Sequence, residues 1–108
     1  MTPEGKIVDY LSRKARACGF AVRKLSYEGR RGAPDRLILA PGAAYFVEVK
    51  APGKKLRPEQ ERELKLLRDA GLRAYWVATT DGVETLLAML RSESIRASKR
   101  SGDEKAEE

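Results

Sequence analysis

Residues 32–50 of the chain, GAPDRLILAPGAAYFVEVK, contain two short apolar runs on either side of the sequence Pro-Gly-Ala. Short runs rich in branched and aromatic residues are typical of strands, and a Pro-Gly pair is typical of a turn. The stretch therefore predicts a β-hairpin. Charged residues stand at both outer ends of this hairpin, where a small domain would favour apolar ones. Asp35 precedes the first arm, and Glu48 and Lys50 close the second.

The turn determines which residues face one another across the hairpin. If Ala40 pairs with Ala44, Asp35 lies opposite Val49, at the same end of the sheet as the other two charges. Side chains alternate along a strand, so Glu48 and the lysine two residues later share one face. Val49 then points into the core, and its carbonyl oxygen remains available as a ligand.

Two carboxylates brought together raise each other's pKa unless a cation lies between them. Carboxylates and a backbone carbonyl are the oxygen ligands that Mg²⁺ takes, so the pattern is compatible with a metal site. Lys50 beside such a site would orient an attacking water or help to deprotonate it, and would stabilise charge that develops on a phosphate. An ordinary ion pair at a strand end is the alternative for any one of these residues taken alone.

Helical patterns on both sides of the hairpin bring further polar residues toward this end of the sheet. Gln60 precedes Leu64 by four residues and Leu67 by seven, which places it on the buried face of a helix that opens at Pro58. Glu4 holds the corresponding position at the start of the first helix. A glutamine that satisfies helix-end amides and a glutamate that favours the helix dipole are the simpler explanations.

The remaining periodicities complete the predicted fold. Helices are predicted over 3–18, 58–71 and 81–92, and strands over 20–27, 36–40, 44–50 and 73–80. The apolar central strands indicate helices on both faces. We therefore expect an α/β fold, a mixed β-sheet flanked by helices in the order α-β-β-β-α-β-α. A single domain should occupy residues 1–91, followed by a polar, flexible tail over residues 92–108.

Composition narrows the classes of function. The chain of 108 residues has one cysteine and no histidine, which excludes an internal disulfide and every catalytic or metal motif that needs histidine. No apolar run approaches the roughly 20 residues of a membrane span, and the N-terminus lacks a signal-peptide pattern. We therefore expect no membrane association and a cytoplasmic location.

The charge balance indicates an anionic partner. The chain carries a net charge of +6, and its isoelectric point is near 9.7. Basic residues flank the charged end of the hairpin in both directions along the chain, and such clusters suit contacts with DNA phosphates. Solvated loop charge is the alternative for each residue taken singly. The predicted DNA-binding set comprises Arg23, Lys24, Arg30, Arg31, Arg36, Lys54, Lys55 and Arg57.

Taken together, GAPDRLIL…YFVEVKAPGKKLRPEQ resembles the PD-(D/E)xK nuclease motif. More closely, it is similar to the stand-alone form of the VRR-NUC (virus-type replication-repair nuclease) family. The similarity covers about residues 4–79. It implies a restriction-endonuclease-like core, Mg²⁺- or Mn²⁺-dependent DNA cleavage and a homodimer in a bacterial or phage-infected cell. It also implies roles for single residues: Asp35, Glu48, the Val49 carbonyl and Glu4 as metal ligands, Lys50 as catalytic lysine, and Gln60 as the motif glutamine.

The function expected on this basis is that of a metal-dependent, structure-selective DNA endonuclease without an organic cofactor. Its substrate would be branched DNA such as four-way (Holliday) junctions, because the two sites of a C2 dimer would cut paired strands. One alternative is a non-catalytic DNA-binding module of the same fold. Others are a nuclease that acts on flaps, nicks or plain duplex, and a structural basic protein with a chance motif match.

Overall fold

The computed structural model describes the backbone of residues 1–107 and the side chains of residues 1–96. Three helices and four strands follow the predicted order. They are α1 (Pro3–Ala17), β1 (Ala21–Lys24), β2 (Arg36–Ala40), β3 (Ala43–Val49), α2 (Pro58–Asp69), β4 (Arg73–Val77) and α3 (Thr80–Glu107). None of the described helices has the length and apolar content of a membrane crossing.

The four strands form one mixed sheet in chain order. β1, β2 and β3 are antiparallel neighbours, whereas β4 lies parallel to β3 after the α2 crossover. Helices α1 and α3 cover one face of the sheet, and α2 covers the other. The predicted α/β class and flanked mixed sheet are confirmed.

Helix α1 begins and ends where its sequence provides the signals. The Thr2 hydroxyl accepts the Gly5 N–H at 3.0 Å, and proline occupies the first helical turn, where no amide needs an intrahelical partner. Gly19 follows the helix with a φ of 86°, a conformation that favours glycine. Between these ends the buried stripe of α1 faces the sheet: Ile7, Leu11 and Ala15.

Alternation along β3 divides its side chains between two cores. Tyr45, Val47 and Val49 are fully buried on the face that α1 and α3 cover. Phe46 points the other way and packs in a smaller cluster with α2. The same alternation carries the charged residues at the end of β3 to the α2 side, as expected for strand geometry.

The predicted hairpin register is wrong by one residue. Ala40 pairs with Ala43 rather than with Ala44, because two residues alone complete the turn. Gly42 adopts a φ of 78°, so the chain reverses within Pro-Gly and Ala43 already belongs to β3. The shift moves every predicted pair by one position. It brings Asp35 level with the glutamate of β3 instead of the valine after it.

Other predicted boundaries also differ from the structure. β4 ends at Val77, and Thr80, the predicted end of that strand, already begins α3. β1 ends at Lys24, because the chain then leaves the sheet and crosses toward α2 before it returns as β2. α3 extends past residue 92, where the last helix was predicted to end. Side chains from residue 97 onward lie outside the described residues, so the flexibility of the predicted tail over 92–108 stays a prediction.

Candidate active site

Asp35 and Glu48 form a carboxylate pair at the end of the hairpin. Asp35 follows the fully buried Pro34 and is held against β3, where its Oδ2 accepts the Val49 N–H at 2.7 Å. Glu48 is only 4% exposed, and its side chain shares a hydrogen bond with Asp35. The structure thus brings together the two acids that the sequence pattern paired.

The environment of Glu48 strongly disfavours its charged form. Burial first, then the hydrogen bond and negative charge of Asp35, raise the pKa of Glu48 from 4.5 to about 9. The positive charge of Lys50 and the Val49 N–H oppose this rise. Without a cation, burial and the neighbouring Asp35 therefore favour the protonated form of Glu48. Because two neighbouring carboxylates favour a positive charge between them, these two acids can also bind a metal ion.

Lys50 lies within the fold rather than at its surface. It is 8% exposed, and its Nζ donates to the Gln60 Oε1 at 3.3 Å. The same oxygen accepts the Arg57 N–H at 2.9 Å, so Gln60 caps α2 and holds the lysine at once. The interpretation of Gln60 as a residue that satisfies a helix-end amide is confirmed, whereas its role as the motif glutamine stays a prediction.

The donor set fits a magnesium-like ion with few protein ligands. Mg²⁺ is commonly bound through one or two carboxylates and keeps several waters. Asp35 and Glu48 suffice to provide these carboxylates. Among the side chains of residues 1–96, no group of three or more acids, cysteines or histidines gathers as a metal site. Glu4 stands half-buried in the first turn of α1 and does not complete such a group. Its predicted role, and that of the Val49 carbonyl, stay predictions.

An open groove of about 590 Å³ leads to Asp35 between α1 and the β1–β2 edge. Lys24 and Arg36, two predicted DNA contacts, line it together with Arg16, which the sequence reading missed. Arg16 lies far along the chain from the motif, and only the fold brings it to this groove. Asp9 also lines the groove, but it pairs with Arg13 at 3.0 Å.

The predicted DNA contacts differ in the partners of their side chains. Four side chains are exposed to solvent in the segments on either side of the hairpin: Arg31, Lys54, Lys55 and Arg57. Arg23 donates to the Val22 carbonyl of its own strand, and Arg36 donates to the carbonyl of Asp35. Arg30 is exposed, yet its guanidinium lies 3.3 Å from a carboxylate of α2. The structure thus separates arginines that the sequence treated alike.

The partner of Arg30 is Glu63, which the sequence reading also missed. Glu63 is 5% exposed and accepts the Tyr27 hydroxyl at 2.8 Å as well as the Arg30 guanidinium. A signal was present in the sequence, because Glu63 stands three residues after Gln60 and directly before Leu64. It therefore borders the buried stripe of α2.

Trp76 lies on the strand beside the carboxylate pair. It pairs with Glu48 across the parallel β3–β4 ladder, and it is the only tryptophan of the chain. Its side chain is 41% exposed at the edge of the sheet. Tyr45, another strand aromatic, is fully buried, as expected for a core residue.

Comparisons with known proteins agree with this arrangement. The family model "VRR-NUC domain" matches residues 7–81. A solved structure named "VRR_NUC domain" superposes with a TM-score of 0.77 at 41% identity, covering 82% of this chain and 97% of the other. "Putative nuclease p44" of Acyrthosiphon pisum secondary endosymbiont phage 1 is 46% identical over 61 residues. That match spans 56% of this chain and 66% of the phage protein, just under two thirds of its length.

The family match includes the hairpin, both acids, the buried lysine and the glutamine of α2. The solved structure shares both the fold and 41% of the aligned sequence with this chain, so the similarity is not limited to the architecture. On sequence and structure together, the chain belongs to the VRR-NUC family.

Proposed function

We propose that this chain is a metal-dependent DNA endonuclease whose active site is the Asp35–Glu48 pair with Lys50. The observation that carries the proposal is the placement of the buried Lys50 beside the buried Glu48 and its neighbour Asp35, at one end of the sheet. The nuclease name of the phage relative and the VRR-NUC family support the same activity.

Each residue has a distinct part in the proposed reaction. Asp35 and Glu48 hold Mg²⁺ or Mn²⁺, which supplies positive charge and Lewis acidity when bound. The Lys50 ammonium orients the attacking water and stabilises negative charge that develops on the phosphate. The side-chain oxygen of Gln60 accepts from the lysine and holds it in place. The ammonium is therefore already ordered before the reaction, and no entropy is lost in ordering it.

The substrate we propose is branched DNA, cut by a homodimer. The chain is basic and compact, and two sites related by a two-fold axis would cut paired strands of a four-way junction. Cleavage of a labelled junction and a matched linear duplex, with Mg²⁺, Mn²⁺ or a chelator, tests the proposal. We expect metal-dependent junction cutting that Asp35→Ala abolishes. Equal cutting of junction and duplex would contradict the branched substrate and leave the nuclease intact.

The groove beside Asp35 supplies a prediction about the path of the DNA strand. Arg16→Gln is expected to weaken DNA binding about threefold at low salt and to reduce the salt slope by about one, since one phosphate contact is lost. Lys14→Gln is a matched control on the same helix, because Lys14 pairs with Glu84 and neither residue lines the groove. Equal effects of the two changes would show that only net charge matters.

A non-catalytic DNA-binding module is the second candidate, and the basic groove favours it independently of the acids. The two functions differ in their response to metal. A nuclease site binds Mn²⁺ in calorimetric titration, and Asp35→Ala removes that binding. DNA binding without cutting in any metal, together with no Mn²⁺ binding, would establish the module instead.

A further inference from the structure

The segment between β1 and β2 is held against α2 at close range. We refer to residues 25–34 as the basic loop, because it carries Arg30 and Arg31. Gly32 has a φ of 94°, and a Cβ at this position would lie 3.1 Å from the Glu59 carbonyl oxygen of α2. The loop backbone therefore touches the helix backbone, and the loop has a defined place on the surface.

Glu63 is the polar contact that fixes this place. A buried carboxylate is costly unless it is hydrogen-bonded, and Glu63 accepts from Tyr27 near the start of the loop and from Arg30 in its middle. Burial and the hydrogen bond to Glu63 raise the pKa of Tyr27 to about 12, so its hydroxyl keeps its proton at neutral pH. One side chain of α2 thereby ties two points of the basic loop.

The carboxylate pair does not depend on this contact. The Asp35 side chain is held by the Val49 N–H, and its carbonyl accepts the Leu25 N–H at 3.2 Å. Both bonds belong to the sheet side of the site. Loss of the Glu63 contacts would loosen the loop and leave the metal-binding acids in place.

We propose that Glu63 is a positioning residue: it fixes the basic loop against α2, so that Arg30 anchors the loop and Arg31 is presented to the DNA backbone. The DNA part of this inference rests on the proposed function, whereas the loop-fixing part does not. Arg31 is exposed in the basic loop, and the contact with Glu63 is made by Arg30, so the Arg31 side chain is available for a phosphate.

Limited trypsin digestion tests the loop-fixing part without any activity assay. Trypsin cuts after Arg30 and Arg31, and its rate follows the fraction of time that the loop is released. Glu63→Ala should accelerate cleavage there about tenfold, and Glu63→Gln less, since glutamine retains an acceptor for Tyr27. Glu61→Ala, an exposed neighbour on α2, should change nothing. Wild-type cleavage rates in both Glu63 variants, or acceleration at every trypsin site alike, would overturn the proposal.

DNA binding and turnover test the second part. Glu63→Ala should raise the Kd for DNA about tenfold and leave kcat within about twofold, because binding must then order the loop while the acids stay in place. Arg31→Ala should weaken binding without faster loop digestion after Arg30, whereas Arg30→Ala should accelerate digestion after Arg31. A fall in kcat with unchanged Kd would overturn the assignment. A chain that binds no DNA would refute the proposed function, and the digestion result would still decide the loop contact.

Discussion

Replacement of Lys50 by alanine is expected to lower the cleavage rate by about a hundred- to a thousandfold, the usual effect of removing one preorganised stabilising group. DNA affinity should change little, because Lys50 is 8% exposed and engaged with Gln60 rather than displayed to the phosphate backbone. Single-turnover cleavage and equilibrium binding in Ca²⁺ separate the two quantities.

Lys54→Ala is the matched control for this experiment. Lys54 follows Lys50 by four residues but is exposed in the loop before α2, so its loss should weaken binding slightly and spare the cleavage step. Thermal unfolding of both variants checks that the fold survives. A Lys50→Ala protein that loses binding and cleavage together would show that the lysine grips DNA and would contradict its chemical role.

The metal-free protein is expected to lose stability as pH rises from about 5 to 9. The folded-state pKa of Glu48 is raised to about 9 from its ordinary value of 4.5. Between these values the folded state binds a proton that the unfolded state has released. The stabilisation is complete below the ordinary pKa and is lost as pH rises through the folded one. The free energy of unfolding should fall by at most about 1.4 kcal/mol per pH unit in this window.

Urea unfolding at several pH values in the presence of a chelator measures this slope. Glu48→Gln should flatten it, because glutamine cannot release a proton, whereas Glu93→Gln, at a carboxylate that instead pairs with Arg73, should retain it. Mg²⁺ should restore stability mainly at the alkaline end, where it replaces the proton between the acids. An unchanged slope in Glu48→Gln would refute the shared proton as its cause.

The parts of the fold and site that the sequence predicted are encoded locally. The hairpin follows from apolar runs around Pro-Gly, and alternation alone places Glu48 and Lys50 on one face. Gln60 follows from the helical period of α2, whose start lies a short loop after β3. Strand alternation within one hairpin and the helical period of one turn thus suffice to position four site residues: Asp35, Glu48, Lys50 and Gln60.

The parts that escaped prediction depend on contacts between distant segments or on fine backbone geometry. The register was wrong because one glycine at positive φ shortens the turn by a residue, which residue types alone do not determine. From the sequence alone, Glu63 is interpreted as a solvated charge on a helix. It is buried because the basic loop packs against α2. Arg16 joins the groove only through the packing of α1 beside β1.

The position of Trp76 has a consequence for optical spectroscopy. As the sole indole of the chain, it dominates the intrinsic fluorescence, and it stands one strand from Glu48 with part of its ring in water. The emission of an indole responds to nearby charge and hydration. Exchange of a proton for a divalent cation at the neighbouring acids would therefore alter its spectrum. The protein carries an unlabelled optical reporter of the charge state of its own site.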